Sequence, residues 1–190
     1  MTFASQLLRD CADGRGQAQA RFEKLIDGLS DAQANFKPAA RKWSINECLD
    51  HVNISNRLYA DKLDRALAKA RARGKTGAEP YGRGTLLGRF ILNNLRQASP
   101  RGVPAPGVFR PSASGLALGE VAAAFREQLA RLEQAAVQAD GLALGRIRFA
   151  TPAAPVGRVT AAQAFEMMHL HTLRHLAQAE RVKASPANPA

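Results

Sequence analysis

Three of the four histidines in this sequence have the types and spacing needed for metal chemistry. His175 follows His171 by four positions, so on an α-helix the two side chains share a face about one turn apart. This spacing lets two imidazoles bind one metal ion. His51 lies far upstream, where only the tertiary fold can bring a third imidazole close. The pattern therefore predicts a candidate site for a single divalent metal ion.

Two other polar residues are candidate substrate contacts beside these histidines. Ser55 lies one helical turn after His51, and Arg174 directly precedes His175. Ser55 is expected to line a pocket, and Arg174 is expected to bind a substrate carboxylate. The alternative interpretations are a small packing residue for Ser55 and a solvated helix charge for Arg174.

Helical signals recur along the chain and define the elements that must position these side chains. Ser44 with Glu47, and Thr160 with Gln163, each form the pattern of a capping box at a helix start. Amphipathic stripes and stop signals predict helices over these ranges: 17–29, 44–73, 85–97, 118–139 and 160–182. Four of these helices are long, which predicts an all-α four-helix bundle with an additional helix and loop in an insertion at 74–117. Residues 142–159 are expected to form a crossover, and a connection as long as 74–117 is often a lid or binding loop.

The length of 190 residues fits one domain, predicted over residues 1–183 with a disordered tail at 184–190. No apolar stretch approaches the roughly 20 residues that span a bilayer, and the first residues lack a secretion signal pattern. A cytoplasmic protein without a membrane partner is therefore expected. Cys11 and Cys48 lack metal-binding spacing and are expected to be free thiols.

The net charge of +11 raises the question of nucleic-acid binding. Many of the cations fall between positions 69 and 110, but they are spread through a connector that contains glycine and proline. Neither a nucleic-acid binding motif nor a group of aromatic residues able to stack on bases accompanies them. The sequence therefore favours a solvated loop over a nucleic-acid surface, and small anionic substrates remain compatible with it.

Two stretches resemble signatures of one family. Residues 43–52, WSINECLDHV, resemble the WSxxExLxHL signature of the DinB/YfiT-like superfamily. Residues 171–178, HTLRHLAQ, resemble its second signature, HxxxHxxQ. Their order and their places on the second and last long helices strengthen the resemblance, which extends over residues 15–182.

The resemblance implies an up-down-down-up four-helix bundle that holds a divalent metal through His51, His171 and His175. Imidazole ligands suit Zn, Ni, Fe, Co or Mn, so the metal stays open. Relatives in this superfamily include S-transferases that use bacillithiol or mycothiol, a maleylpyruvate isomerase and hydrolase-like members, and a homodimer is plausible.

The leading hypothesis is a metal-dependent enzyme acting on a small-molecule substrate, either a thiol S-transferase that uses a low-molecular-weight thiol or a hydrolase. The first alternative is a non-catalytic binding or stress-response module that keeps the bundle. The second alternative is nucleic-acid binding, which would fall steeply with salt and would not depend on the histidines.

Overall fold

The computed structural model describes residues 3–77, 81–97, 105–154 and 156–188. Most of these residues are helical. The six α-helices are α1 (Gln6–Ile26), α2 (Asp31–Asn35), α3 (Ile45–Ala72), α4 (Leu86–Arg96), α5 (Leu118–Ala139) and α6 (Ala161–Lys183). Two strands of three residues each, β1 (Arg148–Ala150) and β2 (Arg158–Thr160), pair antiparallel. The described chain is therefore all-α apart from one small hairpin.

The four long helices α1, α3, α5 and α6 form a bundle in which α1 and α3 each pack against both α5 and α6. Contacts between α3 and α5 run in the same order along both helices. Asn53 donates to the carbonyl of Val121 near their starts, and Arg131 bonds Asp64 further along. The two helices are therefore parallel.

The direction of α1 follows from its ion pairs. Arg15 bonds Glu133 late in α5, whereas Glu23 accepts from Arg126 early in α5, so α1 and α5 are antiparallel. Lys183 at the end of α6 donates to the carbonyl of Leu25 at the end of α1, so these two helices are parallel. The order of directions is up-down-down-up, as the family resemblance implies.

The helix starts that position the histidines are those predicted from capping boxes. Ser44 accepts from the Glu47 N–H while the Glu47 side chain accepts from the Ser44 N–H. Thr160 and Gln163 form the same reciprocal pair at the start of α6. Such pairs satisfy backbone N–H groups that have no partner inside the helix, which fixes where the helix begins.

One sequence prediction of local structure was wrong and another was incomplete. The first helix begins at Gln6, well before the predicted start at 17, because Ser5 caps it and the buried Leu8 anchors its first turn. Gly14 and Gly16 lower helix propensity there, but tertiary packing keeps the helix continuous. The predicted crossover at 142–159 contains most of the β1–β2 hairpin, which is too short to leave an alternating pattern.

The predicted insertion contains α4 and one turn of 3₁₀ helix, Gly107–Phe109. The part of the predicted loop that contains Pro100 and Pro104 lies outside the described residues. After α6, residues 184–188 form turns that bond back to Val182; residues 189–190 lie outside the described part, and disorder of the tail stays a prediction. Among the described residues, none of the helices has the length and apolarity needed to cross a membrane.

Candidate metal centre

The structure brings His51, His171 and His175 together between α3 and α6. The Nε2 atoms of His51 and His171 are 3.0 Å apart, although the two residues are separated by 120 positions. One ring nitrogen from each histidine lies within 4.8 Å of the others. The site exists because the capping boxes fix the starts of two helices that pack side by side.

Hydrogen bonding at Nδ1 sets the tautomer of His51. Its Nδ1 lies 2.5 Å from the carbonyl oxygen of Phe109, which can only accept, so Nδ1 carries the proton. In the neutral ring, Nε2 then has a free lone pair, and this atom faces His171. A carbonyl that holds the far nitrogen of a histidine in this way is the usual support for a metal ligand.

His175 has a similar support on its own helix. Its Nδ1 lies 3.1 Å from Oε1 of Gln178, a contact that lets Nδ1–H donate and leaves Nε2 as the nitrogen with a lone pair. Gln178 is the last residue of the HxxxHxxQ stretch. The glutamine of that pattern therefore has a physical role, which is to orient the second histidine of the pair.

The separations match what one metal ion requires. A metal–nitrogen bond of about 2.0–2.1 Å places tetrahedral nitrogen ligands roughly 3.4 Å apart. The 3.0 Å separation between His51 and His171 is close to this, and the 4.8 Å limit for the group needs only small ring movements. Three imidazoles leave further coordination positions for a substrate or water, as in catalytic sites.

All three imidazoles are held in their neutral form. Burial, followed by the repulsion that a protonated His171 would feel from protonated His175 or His51 and from Arg174, lowers the pKa of His171 well below its usual range. Burial and neighbouring charges lower the pKa of His175 to about 3. Burial also lowers the pKa of His51, against the opposing effect of its bond to Phe109. Neutral imidazole is the form that binds metal, so the group is ready for a cation at neutral pH.

Trp43 covers one side of the histidine group. Its ring centroid lies 4.7 Å from that of His51 and 5.8 Å from that of His175. Trp43 precedes the Ser44 cap and also packs against the apolar cluster that contains Cys48. The tryptophan of the first signature therefore links the start of α3 to the site itself.

The histidines open into a cavity of about 1010 Å³ between α3, α4, α6 and the segment around Phe109. Ser55 lines this cavity and is buried, and its Oγ has no hydrogen-bond partner among the described residues. The neighbouring Asn56 donates to Thr172, but its Oδ1 is likewise without a partner there. Unpaired buried oxygens are costly, so both atoms are suited to accept from a ligand.

Arg174 also lines the cavity, but its guanidinium is already engaged. Its Nη1 donates to the carbonyls of Asn94 and Gln97 at the end of α4. These are carbonyls that a helix leaves without partners, so Arg174 connects α6 to α4. The carbonyls are uncharged, and the positive charge of Arg174 therefore still acts on the cavity.

Three nearby residues are outside the histidine group. Glu47 bonds Ser44, Ser114 and Lys37, which accounts for its carboxylate. Cys48 is buried, and burial raises the pKa of its thiol to about 12, so it is an inert packing residue. The ring of His169 lies over Gly14 of α1, away from the other histidines.

Sequence reasoning missed the carbonyl of Phe109, the stacking of Trp43 on the histidines and the engagement of Arg174 by α4. The carbonyl and Arg174 contacts join residues far apart in the chain, so no local pattern indicates them. The tryptophan was detectable from the sequence, because it opens the first signature.

Comparison with known proteins agrees with this architecture. Searches of curated proteins and of solved structures returned no match. A sequence profile described as the DinB superfamily matches residues 16–179, a range that includes all three histidines and all four bundle helices in whole or in large part. The chain therefore belongs to the DinB superfamily.

Proposed function

We propose that this protein is a metal-dependent enzyme in which His51, His171 and His175 bind one divalent transition metal ion beside a cavity for small molecules. The observation that carries the proposal is the 3.0 Å approach of two Nε2 atoms, one of which has its lone pair fixed by the Phe109 carbonyl. Zn, Ni, Fe, Co and Mn all suit imidazole ligands.

The reaction that we propose is transfer of a low-molecular-weight thiol to an electrophile, or hydrolysis. A divalent ion supplies positive charge that lowers the pKa of a bound thiol or water, which makes either one a nucleophile at neutral pH. In the transfer reaction the thiol loses its proton, its sulfur bonds an electrophilic carbon, and the leaving group departs with the bonding electrons. In hydrolysis, water replaces the thiol.

The residues of the cavity favour chemistry that does not use a carboxylate base. Among the described residues that line it, Glu47 is the only carboxylate, and its oxygens are bonded to Lys37, Ser114 and Ser44. The proton of a thiol or water would therefore leave to solvent. Ser55 and Asn56 supply acceptors that can orient a substrate N–H or O–H group.

The first test is metal content. Protein purified without a histidine tag is analysed by plasma mass spectrometry as wild type and as the His171→Ala, His175→Ala variant. His169→Ala is the matched control, since it removes the fourth histidine from the same helix. We expect about one equivalent of metal in the wild type and the control and none in the double variant. Absence of metal from the wild type after reconstitution would refute the proposal.

The second test separates the two reactions. Metal-loaded and chelated protein are incubated with glutathione and 1-chloro-2,4-dinitrobenzene, and separately with 4-nitrophenyl acetate. Metal-dependent loss of thiol with release of chloride supports the transferase, and metal-dependent release of nitrophenol without thiol supports the hydrolase. Metal binding without either activity, after a wider set of thiols and esters, would favour the non-catalytic binding module.

A further inference from the structure

The cavity beside the histidines has a strong excess of positive charge. Its lining includes these cations: Lys37, Arg41, Lys42, Arg110 and Arg174. Glu47 is the only acidic side chain among the described residues that line it. Because Lys37 pairs with Glu47 and Arg174 bonds only carbonyls, most of this charge is not neutralised.

Three of these cations are free to meet a ligand. The side chains of Arg41, Lys42 and Arg110 are exposed and form no ion pair or hydrogen bond with the described residues. Asp50, a carboxylate near the segment that contains Arg110, accepts from the N–H and the hydroxyl of Ser112. We refer to Arg41, Lys42 and Arg110 as the cationic group.

The cationic group adjoins the histidines through its sequence neighbours. Lys42 precedes Trp43, whose ring lies against His51 and His175. Arg110 follows Phe109, whose carbonyl holds His51. The two loops also meet directly, since Lys37 donates to Ser114. The free charges therefore lie at the mouth of the same cavity into which the imidazoles open.

The rest of the cavity is largely apolar. Leu87, Phe90 and Ile91 of α4 line one wall, and Tyr59 of α3 and Met167 of α6 line others. A ligand with only charged groups would leave these surfaces in contact with water. A ligand with an apolar body would cover them, and a concave site with low-dielectric walls also strengthens the field of the cations.

We propose that the cavity binds a small amphipathic anion, with a carboxylate or phosphate at the cationic group and an apolar body against α4. This names the substrate class for the metal-dependent enzyme proposed above and rests on that function. The free oxygens of Ser55 and Asn56 accept from an N–H or O–H group on the same ligand.

Trp43 provides a direct measurement, because it is the only tryptophan in the sequence. Its fluorescence is followed in metal-free protein during titration with benzoate, phenyl phosphate and benzamide. Benzamide has nearly the shape of benzoate without its charge. We expect saturable responses to one or both anions. Benzamide should bind at least about tenfold more weakly than the better anion, which is the loss of affinity expected when one charged contact is missing. Stronger binding of phenyl phosphate assigns a phosphate ligand, and stronger binding of benzoate assigns a carboxylate.

Variants locate the anion. In the Arg41→Gln, Lys42→Gln, Arg110→Gln variant, anion affinity should fall at least about tenfold. The Arg65→Gln, Lys69→Gln, Arg73→Gln variant removes three exposed cations outside the cavity lining, so it is the charge-matched control and should bind as the wild type does. Equal affinity for benzoate and benzamide, or full anion binding by the triple variant, would overturn the proposal.

Two further measurements keep the result interpretable. In wild-type protein, added NaCl should weaken benzoate binding but not benzamide binding, a result that needs no variant to fold. Metal content is measured on the same protein preparation after reconstitution with metal. Selective anion binding by protein that takes up no metal on reconstitution refutes the enzyme proposal alone, whereas one equivalent of metal without anion selectivity refutes the amphipathic-anion proposal alone.

Discussion

The α1–α5 side and the α3–α6 side of the bundle are built from similar helices, but different kinds of side chain face each other at the two interfaces. Phe22 of α1 and Phe125 of α5 are buried and stack with centroids 4.4 Å apart. Between α3 and α6, by contrast, the facing residues include His51 and His171, with a cavity beside them. One interface is filled by matching shapes, and the other keeps polar atoms open to a ligand.

This difference indicates how the four-helix bundle can contain a site that has few stabilising contacts of its own. Ser55 and Asn56 each leave a buried oxygen without a partner among the described residues, which costs about 1–3 kcal/mol per group in the absence of ligand or water. Apolar packing such as that of Phe22 offsets this cost. We expect mutations on the two sides to separate stability from ligand binding.

The largest effect on stability is expected for Phe22→Ala. This change removes a fully buried ring and its stacking on Phe125, so the free energy of unfolding should fall by about 3–5 kcal/mol. Urea unfolding measures the loss, and metal content per folded molecule should not change. Ser55→Ala is the comparison on the other side: it removes the unpaired hydroxyl, so the free energy of unfolding should rise by about 1–3 kcal/mol. A loss of metal in Phe22→Ala would show that the two sides are coupled.

Metal removal tests the α3–α6 side by the same quantity, the stability of the folded protein. An ion that binds only the folded protein stabilises it by about 4 kcal/mol at a free concentration of 1,000 times Kd. Chelation should therefore lower Tm clearly in the wild type and in His169→Ala. The His171→Ala, His175→Ala variant should show no response to chelator. Equal responses in all three proteins would place the metal elsewhere.

A smaller effect is expected where α1 meets α6. A Cβ on Gly14 would lie 1.8 Å from Cε1 of His169, so Gly14→Ala forces that ring to move and should cost about 1–3 kcal/mol. In a His169→Ala background the same change meets no ring, and alanine's better helix propensity should make it neutral or stabilising by up to about 1 kcal/mol. A double-mutant cycle by urea unfolding measures this coupling. If the effects of the two substitutions on the free energy of unfolding are additive, the His169 ring does not restrict the side chain at position 14.

The smallest effect concerns the cap that begins α3. Burial acts to raise the pKa of Glu47, but its bonds to Lys37, Ser114 and the Ser44 N–H together lower the pKa below its usual range. The ionised carboxylate is thus stabilising above the unfolded pKa of about 4.3, and this stabilisation is lost as the pH falls through the lower folded value.

Glu47→Gln keeps the capping pattern but removes the charge. We expect a loss of about 1 kcal/mol at pH 7 and a smaller difference from the wild type at pH 3, measured by urea unfolding at both values. Lys37→Gln serves as the control, because it removes the partner charge and should show the same pH trend. A stability difference between the wild type and Glu47→Gln that is larger at pH 3 than at pH 7 would contradict a lowered pKa for Glu47.

The sequence predicted best those features that depend on local chemistry. Capping boxes at Ser44 and Thr160 marked two helix starts correctly, since a cap is decided within four residues. The start of α1 was missed, because the glycines at 14 and 16 mask a helix that tertiary contacts maintain. Propensity is a weak guide where packing against another helix decides the outcome.

The histidine group was predictable in part. The spacing of His171 and His175 indicates a shared face from sequence alone, whereas no spacing places His51 beside them, and the family resemblance supported its inclusion. The structure places the three together, and metal binding by them stays a prediction. The engagement of Arg174 by the end of α4 was not predictable, because it depends on where α4 docks.

The separation of 120 positions between His51 and His171 also has a consequence for folding order. Contacts this distant in the chain close a large loop and form later than contacts within a helix, because the loss of chain entropy must come first. If the three histidines bind one metal ion as proposed, an ion that meets the chain early in folding finds only the pair on α6, which offers two ligands. The third ligand would arrive when α6 docks on α3, so the rate of tight metal binding would report that docking step.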